Sequence, residues 1–197
     1  MKKFSLKKII VSIAMMVTIF TAGAVGIFQN TNTANAAVGD CIWKNPGSIK
    51  VYVDPSLTIA EQNAIYEALS EWANDAPQFE FDRVYNASDA QIIYSSDPSA
   101  DTMGVTNRST TRVTGTKQWY ISKATIKVRF TDASEYNATM QRTYTHETGH
   151  ALGLADSHDK NDETKSVMYG TNTTASETYS GQPQKQDIQD LNSMYGF

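Results

Sequence analysis

The stretch His146-Glu147-Thr148-Gly149-His150-Ala151-Leu152-Gly153-Leu154-Ala155-Asp156 decides how the rest of the chain is read. On a helix, positions i and i+4 lie on one face about a turn apart, so His146 and His150 present imidazoles to the same point. Glu147 stands one residue on, beside that point but off the line of the ligands, where a carboxylate suits a general base acting on water. Gly153, three residues after the second histidine, can take the positive φ that ends a helix and turns the chain back. Such a turn offers Asp156 as a third ligand. Two imidazoles and a carboxylate leave one position of a tetrahedral ion open, the mark of a catalytic rather than a structural zinc. H-E-x-x-H alone recurs by chance, but here two of the chain's three histidines fall in register with a Glu, a Gly and a further ligand.

The scarcity of other ligands strengthens the reading. The chain has 197 residues, one domain's length, with 40% hydrophobic and 19% charged residues. That is enough apolar material for a core and too little charge for a disordered chain. A single cysteine, Cys41, excludes an intramolecular disulfide and any zinc site built on two or four cysteines. A metal here must be held by histidines and carboxylates.

The front of the chain has a different character. Lys2, Lys3, Lys7 and Lys8 precede an apolar run from Ile9 to about Phe28, and small polar residues then lead to Ala34-Asn35-Ala36. This order of basic, apolar and A-x-A segments predicts a secretory signal peptide over residues 1–36, cleaved after Ala36. A retained anchor is the alternative, since the apolar run approaches spanning length. Asp40 before Cys41 does not suit lipidation. Cleavage leaves one domain over 37–197 and takes the formal charge from -4 to -8, because four lysines and no acid are lost. A chain that acidic repels nucleic acid and anionic membrane surfaces, so neither is expected as a partner.

The remaining sequence interleaves strands and helices. Ile49, Val51 and Val53 alternate with polar residues as a half-buried strand. Thr58-Ile59-Ala60-Glu61 spells a capping box, and Ala64, Ile65, Ala68, Leu69 and Trp72 continue at helical spacing until Asn74 to Pro77. Trp72 reads as core. Phe79 and Phe81 mark a second strand, and Ala90 to Tyr94 a third, buried on both faces. Residues 95–118, rich in Ser, Thr, Gly and Asp, read as loop or weak edge strand, and Ala124 to Phe130 alternate again. The pattern predicts an α+β or α/β layer fold.

The motif resembles that of the metzincin clan of zinc endopeptidases, H-E-x-x-H-x-x-G-x-x-H or D followed by a methionine-containing turn. Ser166-Val167-Met168-Tyr169 resembles that turn, which implies that Met168 packs beneath the ligands. Within the clan the sequence is most similar to the matrixins. Ile49 to Val53 resembles their first strand, Thr58 to Asn74 their long first helix, Ser88 to Tyr94 their third strand, and Gln186 to Gly196 their closing helix. The resemblance implies a mixed twisted sheet with a long first helix, an active-site helix and a C-terminal helix.

Departures from the pattern matter equally. Matrixins usually carry His where this chain has Asp156, although the snapalysins, another secreted bacterial group, share the Asp. His158, two residues on, is the rival ligand; the kept spacing after Gly153 favours Asp156. Gly170 stands where matrixins usually have Pro, which implies a looser wall to the pocket for the residue after the cut. Residues 95–145 contain no histidine, so the second, structural zinc of matrixins is not expected. Calcium remains open through Asp97 or Asp101. Matrixin prosegments block the zinc with a cysteine; Cys41 reads either as a short latency thiol or, since no prosegment precedes it, as a small buried residue. Tyr169, Tyr179 and Tyr195 are candidates for the cleft rim or for packing.

The expectation is therefore a secreted, extracellular, monomeric zinc endopeptidase of bacterial, Gram-positive type, acting on proteins or peptides. His146, His150 and Asp156 hold the ion, Glu147 is the base, and no stable membrane insertion follows signal cleavage. The alternative is a non-catalytic binding protein of the same fold kept at the cell surface.

Overall fold

In a computed structural model of the protein, residues 39, 41–130, 133, 136–170 and 181–197 are described, all within the unit Ala34–Phe197. The signal segment 1–36, Asp40 and Tyr179 lie outside the described residues. No helix among the described residues is long and apolar enough to cross a membrane.

Local sequence explains the first elements. Strand β1 (Cys41–Trp43) precedes β2 (Ile49–Val53) and helix α1 (Ile59–Asp75). Thr58 starts α1 by the capping box: the Glu61 amide donates to Thr58 Oγ1 (3.2 Å) and the Thr58 amide to Glu61 Oε2 (2.8 Å). The apolar stripe from Ala60 to Trp72 is buried, and Trp72 is fully enclosed. Then come β3 (Phe81–Arg83), β4 (Ile92–Ser96), β5 (Gly104–Arg112) and β6 (Trp119–Val128). Helix α2 (Ala138–Ala151) is capped by Asn137, whose Oδ1 accepts from the Met140 amide (2.9 Å), and α3 (Lys185–Tyr195) ends at Gly196 with φ 76°.

The six strands form one mixed sheet in the order β1-β6-β4-β2-β3, all parallel, with β5 added antiparallel to β6. Because β5 pairs along the whole of β6, from Gly104 opposite Val128 to Arg112 opposite Trp119, β4 and β1 share the other edge of β6 end to end. β5 is thus an edge strand. Helix α2 packs on α1, β5 and β6. Core side chains also tie it down: Trp72 Nε1 donates to the Thr145 carbonyl (2.9 Å), and the hydroxyls of Tyr94 and Thr148 share a 2.8 Å hydrogen bond. At its C-terminal end, Trp43 Nε1 donates to the Ala151 carbonyl (2.8 Å), satisfying one of the acceptors a helix end leaves open.

Three details differ from the sequence reading. Phe79 is buried just before β3 rather than in a strand, and β4 begins at Ile92 because Ala87–Asp89 wind a 3-10 turn. Ile93 and Ser95 are only half-buried, so β4 is not enclosed on both faces. Of the two readings left open for the polar stretch 95–118, loop or weak edge strand, Gly104–Arg112 takes the second as β5, whose Thr, Asn, Arg and Ser residues carry no hydrophobic alternation.

Candidate active site

The end of α2 builds the site. Gly153 takes φ 113°, and its amide donates to the His150 carbonyl (3.0 Å) while that of Leu154 returns to the Gly149 carbonyl (3.1 Å). An L side chain is strained at that φ. There is also no room for one, because the carbonyl oxygen of Cys41 on β1 occupies the place of its Cβ. The chain reverses, and Asp156 comes back over the helix. Its Oδ1 lies 3.2 Å from His146 Nε2 and 3.4 Å from His150 Nε2. One donor atom from each of the three residues falls within 4.8 Å of the others, the only such group of three His, Cys, Asp or Glu among the described residues.

The donor set fits a divalent cation such as zinc, and the second face of each ring supports this. His146 Nδ1 is 2.9 Å from the Val167 carbonyl, and His150 Nδ1 is 3.0 Å from the Leu154 carbonyl. A carbonyl only accepts, so Nδ1 carries the proton and each Nε2 turns a lone pair inward. The Val167 carbonyl belongs to the methionine turn, which α3 fixes from behind. Asp187 accepts from Ser166 Oγ, from the Val167 amide (2.9 Å) and from the Gln184 amide (2.7 Å). Burial pushes the Asp187 carboxyl up and these hydrogen bonds pull against it. Met168 is fully buried and its sulfur presses on Gly149.

The other predicted residues separate clearly. His158 is exposed and does not join the cluster; it lines a cavity of about 670 Å³ between α2 and Tyr169-Gly170. Cys41 is buried in the core on β1 and is not in the cluster either. Asp97 accepts from Lys127 and Ser99. Tyr169 is buried at the cavity wall, whereas Tyr195 is structural, donating to the Leu152 carbonyl (2.7 Å) and accepting from the Trp43 amide (3.0 Å).

A cleft of about 370 Å³ opens between Gly104–Arg108 of β5 and the His146, Glu147, His150 and Asp156 side chains. The sequence pattern of the matrixin family, peptidase M10, matches residues 48–196. The chain belongs to the matrixin family. This matrixin also shares its fold with the solved structure of myroilysin, at 19% identity and a TM-score of 0.54, over 82% of this chain and 98% of that one. No curated protein matches it. Family membership makes the domain one of metalloprotease type, and it contains a His-His-Asp cluster that could hold a metal ion.

Sequence reasoning missed the contribution of β5. Thr106 Oγ1 lies 2.6 Å from Glu147 Oε2, and Arg108 donates to the His150 carbonyl (3.2 Å) and the Leu154 carbonyl (3.4 Å). A cation at those last carbonyls complements the negative end of α2. No sequence signal marked these residues, since they sit in a polar strand without periodicity, far along the chain from the motif.

Proposed function

We propose that this matrixin is a secreted, monomeric zinc endopeptidase, with His146, His150 and Asp156 as ligands and Glu147 as general base. The observation that carries it is the convergence of three donor atoms within 4.8 Å, with both Nδ1 atoms committed to backbone carbonyls. Bound there, zinc supplies a Lewis acid for a scissile carbonyl and for water. Glu147, one residue after the first ligand, takes the proton of the attacking water and passes it to the leaving amine. The edge of β5 not paired with β6 offers backbone groups to an extended peptide, which aligns a substrate by main-chain hydrogen bonds. The Val167 and Leu154 carbonyls hold the two ligand rings, and Arg108 holds the helix end, while this happens. Export follows from the predicted cleavage after Ala36.

Glu147→Gln tests the assignment. Zinc content is expected to stay at one per chain while cleavage of casein-like substrates falls by orders of magnitude; a wild-type rate overturns it. N-terminal sequencing of protein from the medium is expected to begin at Ala37, and residues 1–36 still attached in a membrane fraction overturn the secreted reading.

A further inference from the structure

Glu147 is 5% exposed, so its carboxylate is held by neighbours rather than by solvent, and both neighbours come from β5. Thr106 Oγ1 stands 2.6 Å from Oε2, the short distance of a charge-assisted hydrogen bond. An ionised carboxylate has no proton to give, so the hydroxyl donates. The Glu147 carbonyl, 3.0 Å from the same hydroxyl, is a second acceptor to which it can turn. The other oxygen, Oε1, accepts no hydrogen bond among the described residues and lies over Gly104. A Cβ at that position would be 2.5 Å from Oε1, 2.8 Å from Cγ and 2.9 Å from Cδ. Gly104 is not among the glycines with positive φ, so space and not backbone conformation requires a glycine there. Positions 104 and 106 are two apart on one strand and therefore face the same side.

We infer that Thr106 and Gly104 are positioning residues for Glu147, one holding Oε2 and the other leaving room for Oε1 to meet the proton of the water. This rests on the reading of Glu147 as the base and assigns what orients it. The strand that offers its edge to the peptide thereby also sets the base, so substrate and base share one frame. A long flexible side chain otherwise spreads over several rotamers, and misplacing a reacting group by about 1 Å costs on the order of 100-fold.

The experiment uses the zinc-loaded mature protein and measures kcat, KM, zinc content and thermal midpoint. Thr106→Val, nearly the same shape without the donor, is expected to lower kcat roughly 10- to 100-fold with KM and zinc content nearly unchanged. Thr106→Ser, which keeps the hydroxyl, is expected to stay within about threefold of wild type. Gly104→Ala displaces only the end of a flexible side chain, so it is expected to lower kcat with little change in thermal midpoint. In a Glu147→Gln background the Thr106→Val loss is expected to vanish, since the two act as a unit. A Thr106→Val enzyme with wild-type kcat per bound zinc, or one that Thr106→Ser does not rescue, overturns the inference while leaving the peptidase reading intact. A zinc-loaded wild-type chain that cleaves nothing, or a fully active Glu147→Gln, instead overturns that reading and this inference with it.

Discussion

A Cβ at position 170 would lie 2.6 Å from Oδ1 of Asp156 and 2.9 Å from its Cγ, so Gly170 and Asp156 fit only as a pair. The Gly170 amide also donates to the Ser157 carbonyl (3.0 Å), a bond proline cannot make. The Asp156 carboxylate thus occupies the space that a side chain at position 170 would fill. Gly170→Ala is expected to push Oδ1 off the imidazoles and weaken zinc binding roughly 10- to 100-fold, the usual cost of disturbing a ligand's support. Competition with a chelator measures it.

The ligand set makes a paired prediction. Asp156→Ala is expected to lose zinc and His158→Ala to keep it, because only the first side chain meets both Nε2 atoms. Metal analysis after dialysis decides between them, and the reverse outcome overturns the choice of Asp156.

Gly149 lies inside α2, where alanine has the better helix propensity by about 1 kcal/mol. Even so, Gly149→Ala is expected to destabilise the fold by roughly 1–3 kcal/mol, since its Cβ would collide with Met168 and come within 3.1 Å of Trp72. Denaturant unfolding reads the difference.

Asp190 supplies a pH dependence. It is 4% exposed, its Oδ1 accepts from Gln186 Nε2 (3.1 Å), and its buried Oδ2 has no hydrogen-bond partner among the described residues. Burial, followed by the nearby Asp187 and Asp162 carboxylates, pushes it up to about 6. The unfolded chain releases this proton near pH 4, so the folded state binds more protons between the two values. Its contribution is then fully present below about pH 4 and declines as pH rises toward and past 6. Asp190→Asn is expected to stabilise the protein at pH 7 by roughly 1–2 kcal/mol and to flatten the fall in thermal midpoint between pH 4 and 6.

Much of the fold was legible wherever the signal was local and periodic. The α1 capping box and stripe, β2, the helical H-E-x-x-H and the glycine turn all depend on residues within a few positions of each other. β1 was not legible, because three residues carry no period and Trp43 finds its place through distant partners, the Ala151 carbonyl, the Tyr195 hydroxyl and strand β6. β5 was half legible: polar on both faces, it lacks the alternation that marks a half-buried strand. Asp187, which braces the methionine turn from α3, gave no sign of that role in a sequence position about twenty residues away.

The sequence by itself determined the chemistry available: one His-Glu-Gly-His-Gly-Asp series, a single cysteine outside it, and a stretch that resembles a Met-turn to follow. Helical periodicity and a glycine's freedom at positive φ are local properties, so residue order suffices to state them. Only the tertiary structure set Asp156 against both imidazoles with His158 apart from them, placed Gly170 beside Asp156, and brought Thr106 and Gly104 under Glu147. Those choices depend on where β5 and the reversed chain lie against α2, and such approach between distant segments is set by packing of the whole sheet and helices.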